Sequence, residues 1–233
     1  MRAWWVHASQ PPPLMPSEAQ QRPSLSPMGH LAVAKSVARM VWIDAGQIVR
    51  HGRDAPRWAE RIWVDPSACS LVATDVDRGR RRSGQVVGGT WGVAPVETVA
   101  KVRMAEEHWR TGASWKQVGA YDYVMENLAR LSQHDGYRTA DDVERRFEYL
   151  DAVFDMVRRE GRLRARSEGP GRTIRENGGV YMHVGRDREP VFGNGGCHRL
   201  AMARVLGLAR IPAQLGAVHP DALSAWRTLR SAT

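Results

Sequence analysis

The sequence predicts an α+β protein built on a mixed sheet, and three stretches carry that reading. Residues 180–215 run strand, strand, Gly-rich turn, helix, strand. Residues 139–160 repeat apolar side chains at helical spacing. Residues 61–66 hold a short apolar run closed by a proline, which suits a first strand far upstream of the others.

In the first stretch, Val180-Tyr181-Met182-His183-Val184 alternates apolar and polar, and a polar turn over 185–189 leads to Pro190-Val191-Phe192. That pattern is a hairpin. Leu200, Ala203, Val205, Leu206 and Leu208 then recur at helical spacing, with Gly207 as terminator. Ile211 to Leu215 reads as another short strand. His183 lies one pleat out of phase with Val180, Met182 and Val184. It therefore faces solvent or, less commonly for a strand histidine, a ligand.

Upstream, a short helix is expected over Leu31 to Met40, and the basic stretch Asp75 to Gly89 reads as a mobile loop. Three helices should follow. The first spans about Ala94 to Trp109 and ends at Gly112; the second spans Trp115 to Leu131. In the third, Thr139 is the N-cap, Asp142 follows three residues on, and Val143, Phe147, Leu150, Phe154 and Val157 form the apolar face before Gly161. Residues 164–179, polar and Gly-rich, suit a hinge. Trp91 and Trp115 read as core anchors before base-stacking groups. Asp151 and Asp155 read as solvated helix charges.

The turn between hairpin and helix holds the chemistry. In Asn194-Gly195-Gly196-Cys197-His198-Arg199, a Gly-rich turn opens a helix. Backbone N–H groups there form a concave nest at the positive end of a helix dipole, which suits a phosphate. Arg199 adds a forked donor. Cys197, at a helix N-terminus beside His198 and Arg199, sits where a reactive thiolate is expected. The same residues also suit a tight turn with a small buried sulfur.

The run Phe192-Gly193-Asn194-Gly195-Gly196-Cys197-His198-Arg199 resembles the active-site loop of sulfiredoxin, a Phe-Gly-Gly-Cys-His-Arg signature. Ile211-Pro212-Ala213-Gln214-Leu215 resembles the Ile-Pro-Ala-Lys-Leu strand of that family at the matching distance. Gly196 to Arg199 also resemble the Gly-Glu-Arg-Arg box of ParB proteins, which share the fold. The likeness covers residues 174–220, with a weaker echo at 59–71, where Asp65 stands before Pro66 in place of the family's Arg. The resemblance implies a ParB/sulfiredoxin-like sheet split by a helical insertion. The expected order is a disordered tail (1–27), an extension (28–57), the first-strand region (58–72), a loop and helical insert (73–173) and the nucleotide-binding core (174–233).

It further implies binding of ATP or another nucleoside triphosphate with Mg²⁺. Gly195 and Gly196 would donate N–H groups, His198 and Arg199 would neutralise phosphate, and Cys197 would be the catalytic nucleophile. One reading is therefore an ATP-dependent phosphoryl-transfer or thiol redox enzyme, which needs Cys197 exposed. The other is a DNA-associated regulator switched by nucleotide, which tolerates a buried Cys197 and needs one continuous basic face. The short stretch after His219 leaves no room for the helix-turn-helix module usual in ParB proteins.

Composition sets the outer bounds. The net charge of +9 favours nucleotide, nucleic acid or acidic protein partners, although an Arg-rich surface can also be merely solvated. Two cysteines, Cys69 and Cys197, exclude a disulfide framework. No run is apolar enough for a membrane span, and the expected location is the cytoplasm.

Overall fold

The computed structural model describes residues 27–77, 80–131, 137–169 and 173–226. Residues 1–26 of the expected N-terminal tail and part of the Arg78–Arg82 run lie outside them, whereas Pro27, expected in that tail, opens the first helix. The elements are α1 (Pro27–His51), β1 (Arg61–Val64), β2 (Leu71–Ala73), β3 (Val93–Pro95), α2 (Ala100–Thr111), α3 (Ala120–Leu131), α4 (Ala140–Glu160), β4 (Val180–Val184), β5 (Pro190–Phe192), α5 (Cys197–Val205) and β6 (Ile211–Val218). They form an α+β protein around one six-stranded mixed sheet, ordered β1-β6-β4-β5-β2-β3. Parallel pairs (β6 with β4, β5 with β2) alternate with antiparallel ones. The four expected strands all join this sheet. Among the described residues no helix is long and apolar enough to cross a membrane.

The sheet is covered on both faces, which explains why every residue of β4 is buried. Val180, Met182 and Val184 join the core with Leu200 and Ala201 of α5, against which α2 packs. Tyr181 and His183 point to the opposite face. The segment expected to be a mobile loop crosses that face instead. Ser83 donates to the Leu215 carbonyl at 2.6 Å, and Gly84 N–H bonds Gly216 O at 2.8 Å. Farther along, Val87 N–H bonds Val218 O at 3.0 Å. The first helix is longer than expected, and Asp44 ties it down by accepting Trp58 N–H at 2.8 Å and pairing with Arg175 at 2.6 Å.

Two helix starts also shift. Pro95 disfavours helical geometry at the residue before it, so 93–95 becomes a strand paired with β2, and α2 begins at Ala100. Gly119, at φ 76°, breaks the second pattern and delays α3 to Ala120. The third helix matches its pattern: Thr139 Oγ1 accepts Asp142 N–H at 3.2 Å, and the Asp142 carboxylate accepts Thr139 N–H at 3.1 Å. The five expected apolar positions are all buried.

Candidate functional site

The Gly-rich loop leaves β5, crosses the end of β4 and opens α5. Gly193 N–H donates to Tyr181 O and Tyr181 N–H to Gly195 O, both at 2.8 Å, so the loop continues the ladder before it turns. Gly196 caps the helix at φ 80°, and a Cβ there would lie 2.9 Å from the Val180 Cα, which only glycine avoids. The first N–H groups of α5 have no acceptor within the helix. Gly195, Gly196, Cys197, His198 and Arg199 are therefore brought together at one helix N-terminus.

Arginines converge on this turn. Arg80 donates to Gly179 O at 2.8 Å and to the Gln214 side chain, and it lies 5.1 Å over the Tyr181 ring. A Cβ on Gly195 would stand 2.5 Å from its Nη2. Arg199 is half-buried and donates to the Arg164 carbonyl. Burial pushes its guanidinium down to about 10, Glu176 opposes that, and Arg166 and Arg80 add to it. Desolvation lowers Arg80 as well, with Arg166 again contributing. The one fully buried carboxylate in this group, Glu176, already pairs with Arg61 at 3.0 Å and accepts Arg166 N–H at 2.9 Å. Arg166 Nε is buried with no hydrogen-bond partner among the described residues. Asp77 acts on Arg80 as well, so three arginines meet two carboxylates around this turn, with Arg80 and Arg199 partly desolvated.

The thiol is less accessible than an attacking nucleophile requires. Cys197 is 8% exposed, with Sγ 3.6 Å from the Asn194 side-chain oxygen. Cys69 is fully buried beside the Met182 sulfur at 3.7 Å, and burial raises its thiol to about 12.

On the other side of the loop, His198 lines a small cleft with Lys101, Trp115, Tyr123, Tyr137 and Phe147. Trp115 meets the His198 ring edge-on at 6.2 Å and stacks on Phe147 at 4.5 Å, as expected of a core anchor. Asp151 is not the solvated charge its position suggested. It accepts the indole N–H groups of Trp109 (2.9 Å) and Trp115 (3.1 Å) and faces His108 Nε2 at 2.9 Å. The other His108 nitrogen faces Ala113 O at 2.5 Å, so neither is left for proton transfer. Asp155 pairs with Arg158 on the surface at 2.9 Å. Among the described residues no three His, Cys, Asp or Glu groups come together as a metal cage.

His183, expected on an exposed strand face, is fully buried. His219 is buried too, its Nδ1 accepting Asp221 N–H at 3.2 Å and its Nε2 lying 3.1 Å from Gly89 O. Arg80, Arg166 and Glu176 were not singled out in sequence. Their one signal was membership of Arg-rich or polar stretches, which do not say which members fold inward. No family description matches the sequence, and no curated protein or solved structure matches it either.

Proposed function

We propose that the protein binds a nucleoside triphosphate on the 193–199 loop, as its resemblance to ParB and sulfiredoxin proteins implies. The carrying observation is the convergence of Arg80, Arg166 and Arg199 around the N-terminus of α5, where Arg80 and Arg199 are partly desolvated and Arg166 Nε is buried without a hydrogen-bond partner among the described residues. A buried cation without a full partner costs free energy that a bound phosphate returns. The N–H groups of Gly195 and Gly196 and the helix dipole add to the attraction, and His198 flanks it. Mg²⁺ in this reading arrives with the phosphates, which leave it needing few protein ligands.

The burial of Cys197 favours nucleotide binding over thiol chemistry. The sulfur packs beneath the loop in the position that ParB proteins give to Glu. The test is a titration of ATP, CTP and GTP with Mg²⁺ against the wild type and Arg199→Ala. Loss of a charged hydrogen-bond partner should weaken binding by about 1.5–3 kcal/mol, roughly ten- to a hundredfold. No binding by the wild type, or an unchanged dissociation constant in the variant, overturns the reading.

A further inference from the structure

Helix α1 is seated inside out. Its inward side carries two buried polar residues beside half-buried Met40 and Ile43. Asp44 accepts Trp58 N–H and pairs with Arg175, and Gln47 accepts Val86 N–H at 3.2 Å. On the outward side Ala34, Ala38, Val41, Trp42, Ala45 and Val49 recur every three or four residues, and all six are exposed. Trp42 is 82% exposed and Val49 86%. A surface helix ordinarily turns its apolar stripe to the core and its charges to water. Here hydrogen bonds hold the polar side down, and an uncharged stripe about 23 Å long is left without cover among the described residues.

The spacing of the stripe selects a second copy of this chain as its occupant. In an antiparallel pair turned about a two-fold axis between Val41 and Trp42, Ala38 lies level with Ala45 of the second copy, and Ala34 with Val49. Small residues at these levels let two helix backbones approach closely, and the two Trp42 rings meet beside the axis. A pattern that matches itself when reversed is what a closed, isologous dimer requires.

The charges permit the same register. Lys35, Arg39 and Arg50 are exposed and lie along one flank, outside the stripe. Lys35 comes level with Ile48 of the second copy and Arg39 with Asp44, so no cation stands directly opposite a cation. The rim cations of the two copies share one side and repel only weakly across solvent. We infer that α1 is a self-association face, through which two copies of this chain pair antiparallel along the stripe from Ala34 to Val49. One helix pair of this length buries less than the about 800 Å² per partner of a standard interface, so the dimer is reversible and concentration-dependent.

Sedimentation velocity of the full chain over a dilution series reads the assembly directly. The wild type should pass from monomer to dimer as concentration rises. Added salt screens the rim cations and should not weaken the dimer. Trp42→Ala should raise the dissociation constant about tenfold or more, as truncating a central aromatic anchor does. Its urea midpoint should stay near the wild-type value, because the ring is exposed in the monomer. Register is read by mixing Ala38→Cys chains with Ala45→Cys chains under mild oxidation. The mixture should cross-link and neither variant alone should, since Cys69 and Cys197 are buried. A monomer at every concentration overturns the inference and leaves the stripe to residues 1–26 or to another protein. A dimer that Trp42→Ala leaves intact, that salt weakens, or that cross-links through position 38 alone or 45 alone overturns it as well.

Discussion

Acid should destabilise this fold through His183 well before carboxylates begin to protonate. In the unfolded chain its imidazole titrates near 6.5, whereas desolvation in the fold pushes it down to about 4, with Asp77 opposing only in part. Above about pH 6.5 neither state holds the extra proton, and stability is complete. Between that value and about 4 the unfolded chain binds the proton and the folded one does not, so stability falls as pH falls. At about 1.4 kcal/mol per pH unit, the full loss is about 3 kcal/mol. The ring is fully buried, so solvent screening removes little of this. Asp65, Glu97, Asp142 and Glu168 are held below their ordinary values by hydrogen bonds, so they contribute only as pH drops below about 4.5. Urea unfolding followed by tryptophan fluorescence from about pH 7 to about pH 5, run on the wild type and on His183→Asn, reads this histidine by difference, with an expected difference in slope approaching 1.4 kcal/mol per pH unit. His183→Asn keeps an acceptor near Nδ1, to which Ala217 N–H donates at 2.8 Å, does not titrate, and should flatten the slope. If that variant fails to fold, an NMR titration of wild-type His183 carries the test. A ring that protonates near 6.5 in the folded protein, or a wild-type profile flat over this range, refutes the reasoning.

Two further outcomes follow from the buried groups. Asp151→Ala leaves two indole N–H groups and one imidazole without their acceptor. Because that carboxylate is 43% exposed and water can replace part of it, the expected loss is about 2–3 kcal/mol in chemical denaturation, below the sum of three charged hydrogen bonds; a loss under 0.5 kcal/mol would show that the cluster is held by stacking alone. Under brief iodoacetamide treatment at neutral pH, Cys197 should label before Cys69, whose thiol is raised to about 12, and both more slowly than in urea. Labelling of Cys69 first contradicts the burial assigned to it.

What was legible in the sequence follows the strength of local signals. Helix α4 could be read nearly residue by residue, because Thr139, Asp142, five apolar positions and Gly161 all point to one answer. The loop was legible because Gly196 satisfies a backbone requirement that no other residue meets. Strand β3 was not, since Ala94 and Val99 fit a helical pattern and only the restriction imposed by Pro95 argues otherwise. His183 was misplaced for a subtler reason. Alternation along a strand says which residues share a face, but not whether that face meets water. Here a polar-looking segment, 80–91, folds over it through backbone and Ser83 hydrogen bonds, and nothing in its composition announces a cover layer. Of the candidate site, the helix N-terminus was therefore visible and its surroundings were not. Arg80 and Arg166 come from opposite sides of the insert, and long-range folding alone brings them to one turn.

That convergence bears on what the helices between β3 and β4 contribute. Helices α2, α3 and α4 place Trp115 against His198, and Trp115 is itself fixed from α4, by Asp151 at 3.1 Å and by stacking on Phe147. Arg166, just past the end of α4, carries the unpartnered Nε that acts with Arg199. The segment between β3 and β4 thus supplies an aromatic wall on one flank of the loop and a cation on the other. A ligand bound as proposed would draw on both, and its binding would then be coupled to the packing of α2, α3 and α4 through His198 and Arg166. Loosening the Asp151 cluster should therefore cost affinity for a ligand bound as proposed as well as stability, because Asp151 acts on the loop through Trp115 and its contact with His198.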